Sequence, residues 1–404
     1  MAAKRTWRDT ASRPKPAKSR QVARSPAMKS QLKAKAKVSS GRGAAKLAKP
    51  QDRLHAVLDA IRVTPDDDEL RLVYADALEE SGELERAELI RAHVTKAERA
   101  AALQVERDKV LATQLVRWRS DRGLVWHVEA RIEEWLAHGP QLFETEPITS
   151  IVVRDPRNEI VDEDFDYVDL VAQLAKQSWL GYVHALEVPP YSTLGEPDVV
   201  VELLGSPHLR RMARLQVGHP LAAIAAAKHC PMPALRELFI HCEGSTEGDD
   251  ALRAFANRRD ALARLELVGC GMSADGIRTM VDAGWRLEHL ITAGTHYQLD
   301  DIGLAGLASI ARAPALASLG ELRIESAGLD DGAMQALAES PHLRSLHTLG
   351  LGGNQGITDA GIAALAKSPV LASVREIDLT ATAVTEHGVG ALPRHLQVIA
   401  PHLR

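Results

Sequence analysis

The stretch LHTLGLGGNQGITDAGIAALAKSP, residues 346–369, contains the pattern that decides the fold. It opens with leucines in the spacing L-x-x-L-x-L, which is typical of a short strand with one buried face. Asn354 follows this strand, and Thr358 then precedes a segment whose apolar residues Ile362 and Leu365 are three positions apart. Threonine is a good helix N-cap, and Ser-Pro marks a helix end. The stretch therefore predicts a strand, a turn and a capped helix.

This unit recurs along the second half of the chain. Strand motifs begin at residues 235, 262, 287, 319, 346 and 374, and weaker copies begin at 148, 183 and 212. Residues suited to a helix N-cap follow five of the strands, at Ser273, Asp300, Asp330, Thr358 and Thr385. Neither half of such a unit can bury its apolar face alone, so neighbouring units must stack. We expect an α/β solenoid over residues 141–404, with up to nine parallel strands in a curved sheet backed by helices.

The array resembles the ribonuclease-inhibitor-like class of leucine-rich repeats, most specifically from Leu235 onward. Where that class has Asn or Cys after the strand, this chain has Asn354 and Cys270. Other residue types stand at three equivalent positions, namely Thr295, Ala327 and Thr382. A continuous asparagine ladder is therefore not expected.

The strand positions that are not leucine should point from the concave face of the sheet into solvent, a surface suited to a protein partner. We predict that partner-binding residues lie at the third and fifth motif positions. At the third position these are Glu237, Arg264, His289, Glu321 and Glu376, and at the fifth Phe239, Glu266, Ile291, Arg323 and Asp378. Exposed Phe239 and Ile291, with Arg264 or Arg323 as a charged anchor, would be typical of an interface. The alternative is that mixed charges solvate the sheet and Phe239 packs against its neighbours.

Residues 51–140 are predicted to form a helical domain. Apolar residues from Leu54 to Ile61 follow helical spacing, and Thr64-Pro65 is predicted to cap and start a second helix that ends at Gly82. Leu84 to Val94 form the next helix, and helical sequence is expected to continue through Trp118, Trp126 and Trp135. Gly139-Pro140 is expected to break it.

Several segments of this region resemble the bacterial repeat-companion domain. They are LDAI at 58–61, PDD at 65–67, RLVYAD at 71–76, LEE at 78–80 and RAELIR at 86–91. Members of that family usually carry tryptophan where Ala77 stands and phenylalanine where Leu89 stands. The resemblance implies a bacterial protein whose helical domain accompanies a repeat array, and it assigns no catalytic residue.

The net charge of −5 divides unevenly along the chain. Residues 1–50 contain 15 Lys and Arg against the single Asp9, a charge of +14, which leaves −19 for residues 51–404. With no apolar periodicity, the first 50 residues are predicted to be a disordered basic tail. This tail could contact nucleic acid or another polyanion through its positive charge. The alternatives are a solvated leader, or a true start at Met28.

Composition excludes several classes of protein. No apolar run approaches the ~18 to 20 residues that cross a bilayer, so we expect no membrane insertion. No secretory signal is visible, and three cysteines without a Cys-x-x-Cys pair form no disulfide framework. Cytoplasmic residence is the expectation.

No sequence pattern of an enzyme is present: no Gly-rich phosphate loop, Gly-x-Ser-x-Gly or His-Glu-x-x-His. His229-Cys230 and His241-Cys242 would be a zinc site only if a turn joined them, and we expect cysteines of the core instead. The acidic segment Asp155 to Asp169 lacks the glycine and glutamate of a calcium loop. It is predicted to be a solvated loop, or else to fold back on the basic tail. We therefore expect no cofactor and no metal.

The sequence as a whole predicts a non-enzymatic interaction protein that binds an unidentified protein partner on its concave face. The alternative is a nucleic-acid-associated protein that acts through residues 1–50.

Overall fold

The structure, a computed structural model, describes residues 50–155, 167–189, 196–242, 244–256, 262–295 and 299–400. Twelve strands of these described residues form a single sheet in sequence order. They are β1 (Arg117–Asp121), β2 (Leu124–Arg131), β3 (Ser150–Arg154), β4 (Ala185–Glu187), β5 (Arg214–Val217), β6 (Glu237–His241), β7 (Arg264–Val268), β8 (His289–Ala293), β9 (Glu321–Glu325), β10 (Thr348–Gly350), β11 (Glu376–Asp378) and β12 (Gln397–Ile399). The basic tail, apart from Pro50, and most of the acidic segment lie outside the described residues.

The sheet is parallel from β2 to β12, and only β1 pairs antiparallel with its neighbour. Each strand from β2 to β11 is followed by a helix before the next strand begins. Helices of the described residues are α1 (Pro50–Val63), α2 (Asp68–Glu80), α3 (Leu84–Val94), α4 (Ala100–Leu111), α5 (Ile132–Thr145), α6 (Tyr167–Ala175), α7 (Pro197–Leu204), α8 (Pro220–His229), α9 (Gly248–Ala256), α10 (Ala274–Asp282), α11 (Gly303–Arg312), α12 (Asp331–Ala338), α13 (Asp359–Leu365) and α14 (Glu386–Gly390). This sequential order of strand and helix is an α/β solenoid, as predicted.

The repeated leucines form the core between the sheet and its helices. Leu238, Leu265 and Leu290 are aligned on adjacent strands and are fully buried. The nine strands predicted from the motifs are β3 to β11, each of which begins at the third position of its own motif. Because side chains alternate along a strand, the positions between these leucines face away from the helices. We call this side the open face.

An aspartate in the first turn of one helix binds the next repeat. Asp331 of α12 accepts hydrogen bonds from the backbone N–H of Thr358, at 2.8 Å, and from its Oγ1, at 2.7 Å. It also accepts from the backbone N–H of Gly361, at 3.0 Å. The same pair of bonds joins Asp359 to Thr385. These carboxylates connect the helix starts of consecutive repeats.

A second set of bonds joins the helix ends. Ser206, Ser340 and Ser368 follow the helices of their own repeats. Each donates a hydroxyl hydrogen bond to a backbone carbonyl near the end of the helix in the repeat before, at 2.5 to 2.6 Å. Asn354 is 1 % exposed, and its Oδ1 accepts from the backbone N–H of Ala327 at 2.9 Å. Its Nδ2 donates to the carbonyls of Ile324, in the repeat before, and Leu351, in its own repeat, both at 2.8 Å. The asparagine therefore satisfies the turns of two repeats at once.

The first three helices form a smaller core of their own. Leu58, Tyr74 and Ile90 pack together with Leu124 of β2, which joins this unit to the start of the sheet. Gly82, with φ of +90°, separates α2 from α3 as predicted. The predicted cap at Thr64 is wrong, because α2 begins at Asp68 and Asp67 accepts from the backbone of its first turn.

The helical interpretation of residues 117–131 is also wrong. Trp118 and Trp126 lie in β1 and β2, which are joined by Arg122 and Gly123 with φ of +49° and +81°. Two consecutive residues with positive φ form a tight hairpin turn whose twist suits the flanking strands. The parallel array therefore begins at β2, upstream of residue 141.

The break predicted at Gly139-Pro140 does not occur, because α5 continues to Thr145 with Pro140 inside it. Gly139 has a packing role here: a Cβ at this position would lie 2.8 Å from Cζ2 of Trp179. The glycine lets the indole pack directly on the helix backbone.

Candidate functional site

The open face carries two rows of side chains that follow the register of the strands. The first row, from β2 to β12, is His127, Ser150, Ala185, Arg214, Glu237, Arg264, His289, Glu321, Thr348, Glu376 and Gln397. The second row is Glu129, Val152, Glu187, Gln216, Phe239, Glu266, Ile291, Arg323, Gly350, Asp378 and Ile399. All ten residues predicted from the motifs lie in these rows, on five of the six adjacent strands from β6 to β11. The parallel register brings them together as one surface.

Phe239 lies near the middle of the sheet and is covered. It is only 1 % exposed, yet it does not belong to the core between the sheet and the helices. The guanidinium carbon of Arg214 lies 4.1 Å from the ring centroid, and that of Arg264 lies 5.3 Å away. Cations over a ring face are attracted by its negative quadrupole. Phe239 therefore packs against its neighbours and supports two arginines instead of offering apolar surface.

Glu266 is the centre of the first charged network. Its Oε1 lies 3.0 Å from Nε2 of His241, and its Oε2 lies 3.4 Å from Nη2 of Arg264. Burial raises the pKa of the Glu266 carboxyl, but the hydrogen bond and charge of His241 and the charge of Arg264 outweigh it and keep the pKa below its ordinary value. Glu266 is therefore an ionised group although it is only 6 % exposed.

A second network surrounds Arg323. Its Nε donates to Oε1 of Glu321 at 2.8 Å, and its Nη2 donates to Oε1 of Glu376 at 3.2 Å. His289 contributes Nδ1 at 3.0 Å from Oε2 of Glu321. The hydrogen bond from His289, with the bond and charge of Arg323, lowers the pKa of Glu321 to about 2 against the effect of burial. One guanidinium thus orients carboxylates on β9 and on β11.

The reach of Arg323 across β10 depends on a glycine. A Cβ at Gly350 would lie 2.7 Å from Cγ of Arg323, so any larger residue would occupy the space that the arginine stem uses. Ile291 is half-buried in the same row, between Glu266 and Arg323. It is an apolar point between the two networks.

Asp378 has a structural contact in addition to its place in the row. It is 3 % exposed, and its Oδ1 accepts a hydrogen bond from the backbone N–H of Thr380 at 2.9 Å. Its carboxylate therefore holds the turn after β11.

The rows extend over β2 to β5 with charged residues that the sequence analysis did not single out. Arg154 forms an ion pair with Glu129 on the neighbouring strand. Burial raises the pKa of Glu187 to about 7, against the nearby positive charge of Arg214. This carboxyl group therefore changes its charge close to neutral pH.

The pKa of His127 is shifted downward, whereas that of Glu187 is shifted upward. Burial, together with the positive charges of Arg119 and Arg214, lowers the pKa of His127 to about 4. Its Nδ1 lies 2.8 Å from Oγ of Ser150. The imidazole is therefore neutral at physiological pH and acts as a hydrogen-bonding group.

The sequence contained a signal for most of these residues. The motifs that begin at 183 and 212 place Glu187 at a fifth position and Arg214 at a third position, as for the predicted residues from β6 onward. In β2 the spacing Val125-x-x-Val128-x-Ala130 is the same strand pattern. It was missed because the segment was interpreted as a helix.

The cysteines of the two His-Cys pairs, Cys230 and Cys242, do not contact each other but have different partners. Sγ of Cys230 lies 3.6 Å from the Val201 carbonyl, whereas Sγ of Cys242 lies 3.6 Å from Sγ of Cys270. All three cysteines are buried. Within the described ranges, no group of three or more His, Cys, Asp or Glu side chains is placed to hold a metal ion. Nor is any helix of those ranges long and apolar enough to cross a membrane.

Comparison with known proteins adds little to this description. No family model matches the chain, and no curated protein matches it. Among solved structures, it is similar to one described as the crystal structure of Rad7 and Elc1 complex in yeast. That similarity covers 94% of this chain and 92% of the other, at 13% sequence identity and a TM-score of 0.45.

Proposed function

We propose that this protein is a non-enzymatic interaction module that binds a protein partner on the open face of its sheet, the concave face of the solenoid. The observation that carries the proposal is the pair of side-chain rows, in which charged groups are held in fixed positions by one another. A solenoid presents such an extended surface because each repeat contacts only its neighbours.

The two charged networks support the proposal through pre-organisation. Arg264 and Arg323 are each paired with a carboxylate of the other row, so little side-chain freedom remains to be lost on binding. Arginine is also enriched among residues that dominate binding energies. Because the rows contain both acidic and basic groups, the complementary partner surface should carry both signs of charge.

The arrangement also supports a binding role over a catalytic one. Ionised groups of the two rows pair with each other, as in Glu321 with Arg323 and Glu266 with Arg264. General acid–base chemistry requires instead that a titratable group be aimed at a reacting atom of a substrate.

Site-specific cross-linking tests the proposed surface. A photoreactive residue at Ile291 reports on the open face, and one at Leu304, which is 46% exposed on α11, serves as the control. After irradiation in native extract, mass spectrometry should identify a protein that is captured from position 291 and not from position 304. Capture of the same proteins from both positions would contradict the proposal.

The captured protein then allows an affinity test. The double variant Arg264→Ala/Arg323→Ala should bind it at least about tenfold more weakly, because each substitution removes a fixed cation from the surface. The matched control is Arg278→Ala/Arg312→Ala, which removes two exposed arginines from α10 and α11. An equal loss in both variants would assign the effect to net charge and not to the open face.

A second candidate function depends on the charge of +14 in residues 1–50. Nucleic-acid binding through this segment should weaken steeply with salt and should be lost in a chain that begins at Gln51. Partner binding on the open face should survive that truncation. The two functions are therefore separable in one experiment.

We also propose that the helical region acts as the repeat-companion domain it resembles, by covering the first edge of the sheet. In support, Arg71 is 1 % exposed and donates from Nη2 to Oδ2 of Asp121 at 3.0 Å. Replacing Arg71 by alanine should increase hydrogen exchange in β1 and β2. Unchanged exchange there would contradict this role.

A further inference from the structure

A groove of about 650 Å³ lies apart from the two rows, where the N-terminal helices meet the first repeats. It runs between α1, the end of α5, and the 3-10 turns Ser178–Tyr182 and Leu209–Arg211. Five of the residues that line it have basic side chains: His55, Arg62, His208, Arg210 and Arg211. Glu144 is the one carboxylate among the residues that line it.

Stacked aromatic rings make one wall of the groove rigid. The ring of Phe143 stacks on that of Trp179, with centroids 4.6 Å apart, and lies nearly parallel to that of Tyr182 at 6.2 Å. Trp179 in turn lies directly on Gly139 of α5. The wall is therefore preformed.

Arg62 is fixed at the base of the groove. Its Nη2 donates to the carbonyls of Phe143 and Glu146, its Nη1 pairs with Asp59 at 2.6 Å, and its guanidinium lies 3.9 Å from the centroid of Tyr182. Its Nε is buried and has no hydrogen-bond partner among the described residues. This arginine therefore has one donor to spare.

Arg210 and Arg211 stand at the rim and are exposed. In the part of the chain that the structure describes, neither guanidinium has an ion-pair partner. Arg62 lines the same groove and adds a third guanidinium to it. Concentrated positive charge is unusual in a chain whose residues 51–404 carry −19.

We propose that this groove binds the phosphate monoester of an organic ligand, with Arg210 and Arg211 as its charge partners. Two guanidiniums without ion-pair partners match a group that carries about −1.5 to −2 charges at pH 7, and their planar forks suit phosphate oxygens. The volume exceeds what a phosphate group needs and falls within the range of about 300 to 1,000 Å³ for ligand sites. Tyr182, Pro140 and Pro207 supply apolar surface for the organic part.

A phosphate monoester can come from a nucleotide or from a phosphorylated peptide. Adenosine monophosphate and a phosphoserine peptide represent the two sources, and adenosine and the unphosphorylated peptide are their neutral counterparts. Each compound is titrated into the full-length protein by calorimetry at about 0.15 M salt, where exposed charges are substantially screened. At least one phosphorylated compound should bind at least about tenfold more tightly than its neutral counterpart.

The chain offers a matched control for the variant test. Ser206-Pro207-His208-Leu209-Arg210 is repeated as Ser340-Pro341-His342-Leu343-Arg344, so Arg344 occupies the same place in a later repeat but does not line the groove. Arg210→Glu/Arg211→Glu should lower the affinity for the phosphorylated compound at least about tenfold. The control Arg344→Glu/Arg375→Glu, with the same change in net charge, should stay within about twofold.

Three results would overturn the proposal. The first is that neither phosphorylated compound binds more tightly than its neutral counterpart. The second is an equal loss of affinity in both double variants, which would assign the binding to overall charge, including that of residues 1–50. The third is full affinity in Arg210→Glu/Arg211→Glu when circular dichroism shows the variant to be folded.

Discussion

Replacing Gly361 by alanine should destabilise the solenoid, although alanine favours a helix more than glycine does. Gly361 lies in the first turn of α13, where the Asp331 carboxylate crosses from the preceding repeat. A Cβ at this position would collide with Oδ1 of Asp331, lie 3.0 Å from Cγ of Met334 and lie 3.1 Å from Cα of Asp331. Because one of these atoms is backbone, the collision cannot be relieved by a side-chain rotation alone.

The structure gives the size of the effect. Asp331 accepts three hydrogen bonds from the next repeat, and bonds to a charged group contribute about 1.5 to 3 kcal/mol each. If the substitution displaces the carboxylate enough to lose the equivalent of one or two of these bonds, the cost is about 3 kcal/mol. Alanine returns about 1 kcal/mol through its helix propensity. We expect a net destabilisation of about 2 kcal/mol.

Urea unfolding followed by circular dichroism measures this change, and amide exchange at Thr358 and Gly361 localises it. Gly390→Ala is the control, since a Cβ at that exposed helical position would have no described atom within 4 Å apart from its chain neighbours and the backbone of its own helix. Equal stability of the two variants would refute the argument that the aspartate and the glycine act together.

Three further predictions concern single side chains. The pKa of Glu187 is raised to about 7 in the folded state, so folding favours the neutral carboxyl group. The fold therefore loses stability as pH rises from the unfolded pKa of 4.5 toward 7. Glu187→Gln should gain stability relative to wild type over that interval, and thermal unfolding at pH 5 and pH 8 measures the gain. The pKa of Glu321 is lowered to about 2 in the folded state, so the ionised carboxylate stabilises the fold above its unfolded pKa, and this contribution is lost as pH falls through the folded pKa. The loss of stability caused by Glu321→Gln should be full at pH 7 and should shrink on acidification. A loss of stability that does not depend on pH would contradict this prediction. Asn354→Ala should cost about 2 to 4 kcal/mol, because it leaves the backbone N–H of Ala327 and the Ile324 carbonyl without their partner, and a loss below about 0.5 kcal/mol in urea unfolding would show that water replaces the amide.

The repeated part of the fold could be predicted because its signal is periodic. Leucine spacing located β3 to β11, and four of the five predicted helix caps, at Ser273, Asp330, Thr358 and Thr385, are N-caps in the structure. Asp300 is the exception. Its unit is longer, with 32 residues between motif starts, so α11 begins only at Gly303 and the carboxylate instead accepts the backbone N–H of Met272. Asp300 is a residue type suited to an N-cap, so the length of chain before α11, and not the residue type, separates it from the other four.

Predictions failed where tertiary packing overrides local preference. Arg122 and Gly123 adopt positive φ in a hairpin, and the isolated sequence did not distinguish this from a helical continuation. Pro140 is tolerated inside α5, whose neighbouring glycine is held against Trp179.

The sequence predicted on which face of the sheet each residue of the candidate site lies, but it did not predict how exposed each side chain is. The motif placed Phe239 on the correct face, but only the structure shows that arginines from β5 and β7 cover its ring. The groove between α1 and the first repeats was also inaccessible to sequence reasoning, because it joins residues from four separate segments.

The reversed direction of β1 has a consequence for how such an array can change in length. A strand and helix copied by duplication can be inserted between two parallel strands of the array, because the new strand can then form parallel pairing with both neighbours. In front of β2 the neighbouring strand runs the other way, and the α1 to α3 unit packs against the hairpin. Repeats can therefore be gained or lost after β2 but not before it. A change in number beyond β5, past the turns that line the groove, should shift the far end of the surface while the groove keeps its place.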